Sequence, residues 1–195
     1  TGIRTAAAKK LSAEIRQALE DLNFGQVRFD IEVRQTGNIT PDGADEAEFM
    51  ISVNPGEDLR PLAKIASGGE LSRIILGIKS VLANKDDTDT LIFDEIDTGI
   101  SGRTAQKVSE KMALIARSHQ VICITHLPQI AAMADIHFLI EKNIKDGFTT
   151  TSINRLSDQE IITELARMLG GSQITDLVMD NAAQMKEFAD NLKKQ

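Results

Sequence analysis

Residues 90–97, with the sequence TLIFDEID, decide how the rest of this 195-residue chain is read. They open on an apolar run of four residues, and such a run is typical of a strand that is covered on both faces of its sheet. The acids Asp94 and Glu95 follow at once, so we expect them at the carboxyl end of that strand. Open α/β sheets bind their ligands at this end, which makes the acid pair the first candidate for a functional site.

A second apolar run, VICI, lies at residues 121–124, and the residues between the two runs show helical spacing at 103–117. A strand, a helix and a strand in this order predict two parallel strands with a right-handed crossover. His126 follows the second strand, so we expect it on the same edge of the sheet as Asp94. A single histidine is often structural, and only its position makes this one a candidate.

Periodicity and turn residues predict the other elements. In chain order they are an amphipathic helix at 5–22, antiparallel strands at 26–35 and 48–53 around a polar loop at 37–45, a helix at 71–82, a hairpin at the sheet's edge with strands 137–141 and 148–153 and its turn at 145–147, a helix from the capping box of Ser157 and Glu160 to the glycines at 170–171, and a last helix at 175–194. Together they predict an α/β fold with a mainly parallel core sheet, helices on its faces, and a small antiparallel portion beside it.

Composition excludes several classes of protein. There are 22 Lys and Arg against 29 Asp and Glu, and this net charge of −7 argues against a general binder of nucleic-acid backbones, although it leaves a local basic patch open. Cys123 is the only cysteine, which excludes a disulfide scaffold and favours a reducing compartment. No apolar run approaches the roughly 18 to 20 residues of a membrane-spanning helix, and no secretory signal opens the chain. Since residue 1 is Thr rather than Met, we expect a piece of a longer protein.

The second candidate site is the sequence SGGE at residues 67–70, just before a predicted helix. Two glycines let a ligand approach the backbone closely, and the helix that follows directs free N–H groups and its positive dipole end there. Such a turn suits an anion, and a phosphate fits. The same residues match the Ser-x-x-Glu capping box, which need only begin a helix, and the sequence leaves both readings open.

The acid pair also has two readings. Adjacent carboxylates repel each other, and a bound Mg²⁺ offsets that repulsion because Mg²⁺ prefers one or two carboxylates together with phosphate oxygens and water. The second acid is then available as a base toward a water molecule. The alternative is a strand that simply ends in solvated acids. Residues 97–102 lead from this pair into the next helix, with Ser101 as a possible N-cap.

The usual phosphate-binding loop, G-x-x-x-x-G-K-[ST], is missing, since none of the 13 glycines is followed by Lys. A few charge-assisted hydrogen bonds of about 1.5–3 kcal/mol each, less the cost of association, leave nucleotide binding that is roughly millimolar at best. The sequence therefore predicts that any nucleotide site here is completed by another segment or another chain.

In their order and spacing these motifs resemble those of the ATP-binding-cassette (ABC) ATPases. Residues 67–71 resemble the signature motif, 90–95 the Walker B strand with its adjacent glutamate, 97–101 the D-loop, and His126 the switch histidine. Within that superfamily the likeness is greatest to bacterial double-strand-break repair proteins related to the structural-maintenance-of-chromosomes (SMC) proteins. It is carried by the sequences at 66–73, 125–131 and 164–171.

This resemblance covers nearly all of the chain but only the C-terminal part of the family's proteins. It implies the C-terminal half of a P-loop NTPase-like ABC ATPase head at residues 25–195, and the returning root of a coiled coil at residues 1–24. In the family, the Walker A loop lies in an N-terminal half beyond that coiled coil, which accounts for the missing loop.

The resemblance also implies roles for single residues. Asp94 is expected to help hold Mg²⁺, Glu95 to orient or deprotonate the attacking water, and His126 to contact the γ-phosphate of ATP. Gln129 receives no role. The residues expected to cap ATP held by the opposite head are Ser67, Gly68, Gly69 and Glu70, and those expected at the seam between the two heads are Asp97 and Ser101.

The implied cofactors are ATP and Mg²⁺. The implied partners are the N-terminal half of the same protein, a second copy of the head, and DNA; the implied location is the bacterial cytoplasm at the nucleoid, with no membrane contact. The isolated piece is expected to be inactive. Two alternatives stay open at this point: a non-hydrolysing dimerisation module, and a stand-alone Mg²⁺-dependent phosphoesterase that uses Asp94, Glu95 and Asp97.

Overall fold

The structure is a computed structural model and describes residues 1–65, 67–85, 87–145, 148–171 and 173–194. The chain divides into two compact units. The first unit comprises Thr1–Ile100 and Leu114–Ile124, and the second comprises Ser101–Ala113 and Thr125–Gln195. The fold is α/β, as predicted, with parallel strands, antiparallel strands and helices.

The first unit opens with helix α1, Gly2–Asp21, which confirms the predicted helix. Its buried residues recur every three or four positions and so form one face. They are Ala8, Ser12, Ile15, Ala18 and Leu19. Leu19 lies against helix α2, Gly68–Leu82, at Gly77, where a methyl group on the glycine would come within 2.8 Å of Leu19 Cδ2.

An antiparallel sheet follows α1. Strands β1, Arg28–Thr40, and β2, Gly43–Ser52, pair in antiparallel fashion with an irregularity in register between Gln35 and Thr40, and β3, Arg60–Pro61, adds to β2. The sequence places turn residues at 41–43 within a polar segment at 37–45, and the turn does lie at residues 41–42, but both strands extend further into this segment than predicted. This end of the hairpin is solvent-exposed, so polar residues are compatible with a strand; the Thr40 hydroxyl donates to the Gly43 carbonyl across the turn at 2.8 Å.

The parallel core consists of β4, Thr90–Phe93, and β5, Gln120–Cys123. They pair in parallel from Thr90 opposite Gln120 to Phe93 opposite Cys123, which confirms the predicted arrangement. Among the described residues this parallel sheet has two strands.

One face of this core sheet is uncovered. Leu91 and Phe93 are buried, whereas Ile92 between them is 67% exposed, and Ile122 on β5 and Ile124 just after it are exposed as well. The prediction that both faces are covered is therefore wrong for this chain: its described residues cover one face only.

Helix α3, Gly102–Ile115, lies between β4 and β5 in the chain. The second unit continues with α4, Pro128–Ala132, strands β6, Phe138–Lys145, and β7, Phe148–Arg155, and helices α5, Asp158–Gly170, and α6, Asp176–Lys193. The core of this unit packs α4, α5 and α6 around small and aliphatic side chains: Ala132, Met133, Ile161, Leu165, Ala166, Ala182 and Ala189.

The predicted hairpin is present, with β6 antiparallel to β7. Its placement at the edge of the parallel sheet is wrong, since within the described chain β6 and β7 form a two-stranded sheet of their own. The alternation of apolar and polar side chains predicts that a segment is a strand, but it does not predict which strand pairs with it. The sequence therefore could not show which sheet the hairpin joins. The predicted turn residues Asp146 and Gly147 lie outside the described residues, as does Ala66 ahead of α2.

Candidate functional site

The turn at residues 67–70 begins α2. Ser67 is the N-cap, and its hydroxyl accepts a hydrogen bond from the Glu70 amide at 3.4 Å. Ser67 and Gly68 are exposed, while Gly69 is buried and Glu70 is half-buried. The capping function is therefore present, and the exposed start of this 15-residue helix, at Ser67 and Gly68, is the kind of helix N-terminus that suits an anion.

The acid loop, residues 94–98, follows β4. Asp94 and Glu95 are exposed at the carboxyl end of the strand, as predicted. Glu95 has a φ of 57°, in the left-handed region that side chains other than glycine rarely adopt. Its amide donates to Asp94 Oδ1 at 2.9 Å, which satisfies the amide locally in this bend.

The glycine turn and the acid loop touch each other. A methyl group on the Cα of Gly68 would lie 2.6 Å from Glu95 Oε2, and one on Gly69 would lie 2.9 Å from Thr98 Cβ and 3.0 Å from the Glu95 carbonyl oxygen. Only glycines allow this approach without displacement. The structure thus brings together two of the candidates that the sequence identified separately.

Two side chains on α2 bind the acid loop, and sequence reasoning missed both. The Ser72 hydroxyl donates to the Asp94 carbonyl at 3.0 Å, and Arg73 Nη1 donates to the carbonyls of Ile96 and Thr98 at 3.4 and 2.9 Å. A signal was available, because Ser72 and Arg73 stand three and four residues after Gly69 and so share its face of the helix.

Arg73 is held in an enclosed position. It is 8% exposed, and its guanidinium carbon lies 5.5 Å from the centre of the Phe24 ring. Burial lowers the pKa of Arg73, and the charge of Glu70 acts in the opposite direction. The guanidinium nevertheless keeps its charge at neutral pH, as arginine side chains in proteins do.

Asp97, also in the acid loop, is 4% exposed. Burial, with the negative charges of Asp97 and Asp94, raises the pKa of the Cys123 thiol to about 12. The thiol is therefore protonated at neutral pH, which agrees with a packing role on β5 and not with a nucleophile.

Ser101 and His126 belong to the second unit. Ser101 is exposed just before α3, and its carbonyl accepts from the Thr104 amide at 3.2 Å. His126 is exposed between β5 and α4. Their convergence with the acid loop stays a prediction.

The carboxylates of the acid loop suit Mg²⁺ only where phosphate oxygens supply further ligands. In the described ranges no group of three or more His, Cys, Asp or Glu side chains could hold a metal ion. Asp94 and Glu95 present two exposed carboxylates. Mg²⁺ typically binds one or two protein carboxylates when phosphate and water supply its other ligands. No helix in the described part of the chain is both long and apolar enough to cross a membrane.

Solved structures with the same fold are SMC heads. The Smc head domain of Pyrococcus yayanosii, with a coiled coil and joint, aligns with a TM-score of 0.56 at 18% identity, covering 96% of this chain and 30% of that one. The head domain of Pyrococcus furiosus Smc, bound to the C-terminal domain of ScpA, aligns with a TM-score of 0.54 at 20% identity. The alignment covers 85% of this chain and 39% of that one. The chain thus has the fold of SMC head domains.

Sequence comparison gives the family. The chain is 44% identical over 206 residues to the DNA repair protein RecN of Bacillus subtilis, covering 98% of this chain and 36% of that protein. It is also 44% identical over 183 residues to the DNA repair protein RecN of Vibrio cholerae, covering 93% and 33%. The chain belongs to the RecN family, and it corresponds to the C-terminal part of that family's proteins. It spans about a third of the length of these curated relatives, and no protein-family model matches it.

Proposed function

We propose that this chain is the C-terminal half of an ABC-type ATPase head that acts in the repair of DNA double-strand breaks. The observation that carries the proposal is the contact between the acid loop and the glycine turn at the carboxyl end of a parallel strand. An exposed acid pair and a helix N-terminus that suits phosphate are the two elements that phosphoryl transfer needs from this part of a head.

Each residue of the acid pair has its own task in this proposal. Asp94 would help hold Mg²⁺, and Glu95 would orient the attacking water or take its proton. His126 would contact the γ-phosphate. Bound ATP and Mg²⁺ would supply the phosphoryl group and the positive charge that offsets its oxygens.

The glycine turn would contact a different ATP molecule from the one on which Glu95 acts. In the resemblance, Ser67, Gly68 and Gly69, with Glu70, cap ATP that the opposite head holds, and Asp97 and Ser101 lie at the seam between heads. Glu95 would act on the ATP of its own head. The contact of Glu95 with Gly68 therefore joins, within one chain, a residue of each of the two sites.

Uncovered apolar surface supports completion by another part of the protein. In the first unit, Ile92, Ile122 and Ile124 are exposed on the core sheet. In the second unit, Phe138, Ile140 and Ile153 are exposed on one face of the hairpin, where Ile140 and Ile153 are directly paired. A soluble protein covers apolar patches of this kind with a partner surface, and the proposed partner is the N-terminal half that carries the Walker A loop.

The remaining assignments follow the same proposal. Residues 1–24 would be the root of a coiled coil and residues 25–195 the head half. The complete protein would work in the bacterial cytoplasm at the nucleoid, where it would bind DNA and associate with a second copy through ATP between the heads. The relatives named DNA repair proteins support this setting.

The alternatives are less well supported. A phosphoesterase that uses Asp94, Glu95 and Asp97 needs three acids around metal, but Asp97 is buried and the described chain holds no such group. A purely structural module leaves the strained, exposed Glu95 unexplained.

Reconstitution tests the proposal directly. The purified chain with Mg²⁺ is expected to hydrolyse neither ATP nor DNA, and ATP hydrolysis is expected when a half that carries the Walker A loop is added. Glu95→Gln in the reconstituted protein should lower kcat by about 10²- to 10⁴-fold, since it removes the general base, while ATP-dependent association of the heads persists.

The matched control is Glu187→Gln, which makes the same change on the exposed surface of α6 and should leave hydrolysis unaltered. DNA cleavage by the isolated chain would favour the phosphoesterase. Full ATPase activity in the Glu95→Gln protein would remove the proposed base, and no ATPase activity in any combination would refute the head-half assignment.

A further inference from the structure

We infer that Arg73, assisted by Ser72, is a positioning residue that fixes the conformation of Glu95 by binding the backbone of the acid loop. The hydrogen bonds from Ser72 and Arg73 to the acid loop are part of the geometry of the first unit. The expected effect of these hydrogen bonds on ATP hydrolysis rests on the proposed function.

The carbonyl groups of residues 93–98 all accept hydrogen bonds, and side chains of α2 supply half of the donors. The donors are Ile124 N to Phe93 O (3.0 Å), Ser72 Oγ to Asp94 O (3.0 Å), Thr98 N to Glu95 O (3.0 Å), Arg73 Nη1 to Ile96 O (3.4 Å), Ile100 N to Asp97 O (3.4 Å) and Arg73 Nη1 to Thr98 O (2.9 Å). A loop whose carbonyls are all paired has one conformation, because any other leaves some of them without a partner.

Arg73 is suited to this task by its shape. One of its nitrogens reaches two carbonyls that are two residues apart, while the guanidinium lies over the Phe24 ring and is shielded from water. A lysine at this position would keep the charge but not the planar, ring-stacked group. The contact therefore depends on arginine and not only on a positive charge.

These hydrogen bonds hold Glu95 in its unusual backbone conformation. Its φ of 57° is unfavourable for a glutamate and persists only where the surroundings impose it. The hydrogen-bonded carbonyls on either side of Glu95, those of Asp94 and Ile96, are the ones that Ser72 and Arg73 bind. Without these donors the backbone at Glu95 is free to relax, and the carboxylate leaves its position beside Gly68.

The test uses the full-length protein and compares Arg73→Gln with Arg73→Lys and Ser72→Ala. Arg73→Gln is expected to lower kcat by about 10- to 100-fold, as misplacement of a catalytic group does, and to leave the KM for ATP within about twofold, because the loss falls on a step after binding. Arg73→Lys should recover part of kcat. Ser72→Ala should give a smaller loss than Arg73→Gln.

Hydrogen exchange supplies a readout that is independent of hydrolysis. The amides of Glu95, Thr98 and Ile100 donate inside the loop, so in Arg73→Gln they should exchange faster while α1 keeps its protection. Two matched controls should change neither readout: Arg34→Gln, which removes two exposed ion pairs, to Glu32 on β1 and to Glu48 on β2, and Ser80→Ala, whose hydroxyl donates to the Gly77 carbonyl of its own helix.

The outcomes separate the two proposals. Faster exchange in the acid loop of Arg73→Gln, with kcat lowered and KM kept, supports the positioning role. Unchanged exchange, or a higher KM with an unchanged kcat, overturns it. If the wild-type protein shows no ATPase activity, the proposed function fails, and loop exchange in Ser72→Ala and Arg73→Lys still decides whether these side chains hold the loop.

Discussion

At the scale of single residues, the two glycines after Ser67 have different surroundings. A methyl group on Gly69 would meet the backbone carbonyl of Glu95 and the Cβ of Thr98, neither of which can move easily, whereas one on Gly68 would meet only the end of the Glu95 side chain. Gly69→Ala is therefore expected to lower the free energy of unfolding by about 1–3 kcal/mol, the usual cost of overpacking. Denaturant titration followed by circular dichroism measures this difference.

Gly68→Ala is the matched control, since it makes the same change one residue earlier in the same helical turn. It should alter the free energy of unfolding by less than about 1 kcal/mol, because the Glu95 carboxylate can rotate away. An equal decrease in the free energy of unfolding in Gly68→Ala and Gly69→Ala would contradict the packing described for this turn.

Sequence reasoning at this scale found the acid pair and the glycine turn but not their contact. Each motif is local, and residue type with spacing identifies Ser67–Gly69 and Asp94–Glu95 separately. Their meeting depends on where α2 lies relative to β4, and no spacing along the chain encodes that position. Helical spacing places Ser72 and Arg73 on the face of Gly69, but their partners are backbone carbonyls, which have no signature in sequence, so the spacing alone does not predict these hydrogen bonds.

At the scale of elements, the apolar run at 90–93 was read correctly as a strand and wrongly as one covered on both faces. In the described chain Leu91 and Phe93 are buried and Ile92 is exposed, so burial alternates although hydrophobicity does not. A residue type reflects the surroundings in which the strand works in the complete protein. The proposed N-terminal half would cover Ile92 in the complete protein, and the prediction would then hold there.

The capping box of α5 gives a pH-dependent prediction. Glu160 Oε2 accepts from the Ser157 hydroxyl at 2.6 Å and from the Ser157 amide at 2.7 Å, and these bonds lower the pKa of Glu160 below its reference value of 4.5. A carboxyl group with a lowered pKa stabilises the fold above its unfolded pKa, and that stabilisation is lost as the pH falls through the folded pKa. Glu160→Gln should therefore lower Tm at neutral pH.

The difference in Tm between wild type and Glu160→Gln should narrow as the pH falls below 4.5, and thermal melts over a pH series measure it. Glu187→Gln removes an exposed carboxylate from α6 and shows how much of the effect is net charge alone. A difference for Glu160→Gln that stays constant with pH, or that equals the difference for Glu187→Gln, would show that the capping carboxylate is not its source.

At the scale of the whole molecule, the sequence predicted the α/β class and the parallel pair because these follow from local periodicity and from a rule of chain connection. It did not predict that β6 and β7 would form their own sheet, since strand neighbours are chosen by packing across the molecule. The missing phosphate-binding loop was a feature of the sequence that pointed to a nucleotide site completed from outside the chain. The exposed isoleucines of β4 and β5 are consistent with that reading.

Ile92 should therefore respond in opposite ways in the isolated chain and in the full-length protein. In the isolated chain this side chain is 67% exposed, so Ile92→Thr should reduce concentration-dependent self-association, which sedimentation velocity measures. In the full-length protein we expect the same side chain to be covered, so Ile92→Thr should lower the free energy of unfolding by about 1–3 kcal/mol. Ile39→Thr, a matched change on β1 at a residue that is 89% exposed, should do neither. Full-length protein that tolerates Ile92→Thr as well as Ile39→Thr would mean that no other part of the protein covers this face of the core sheet.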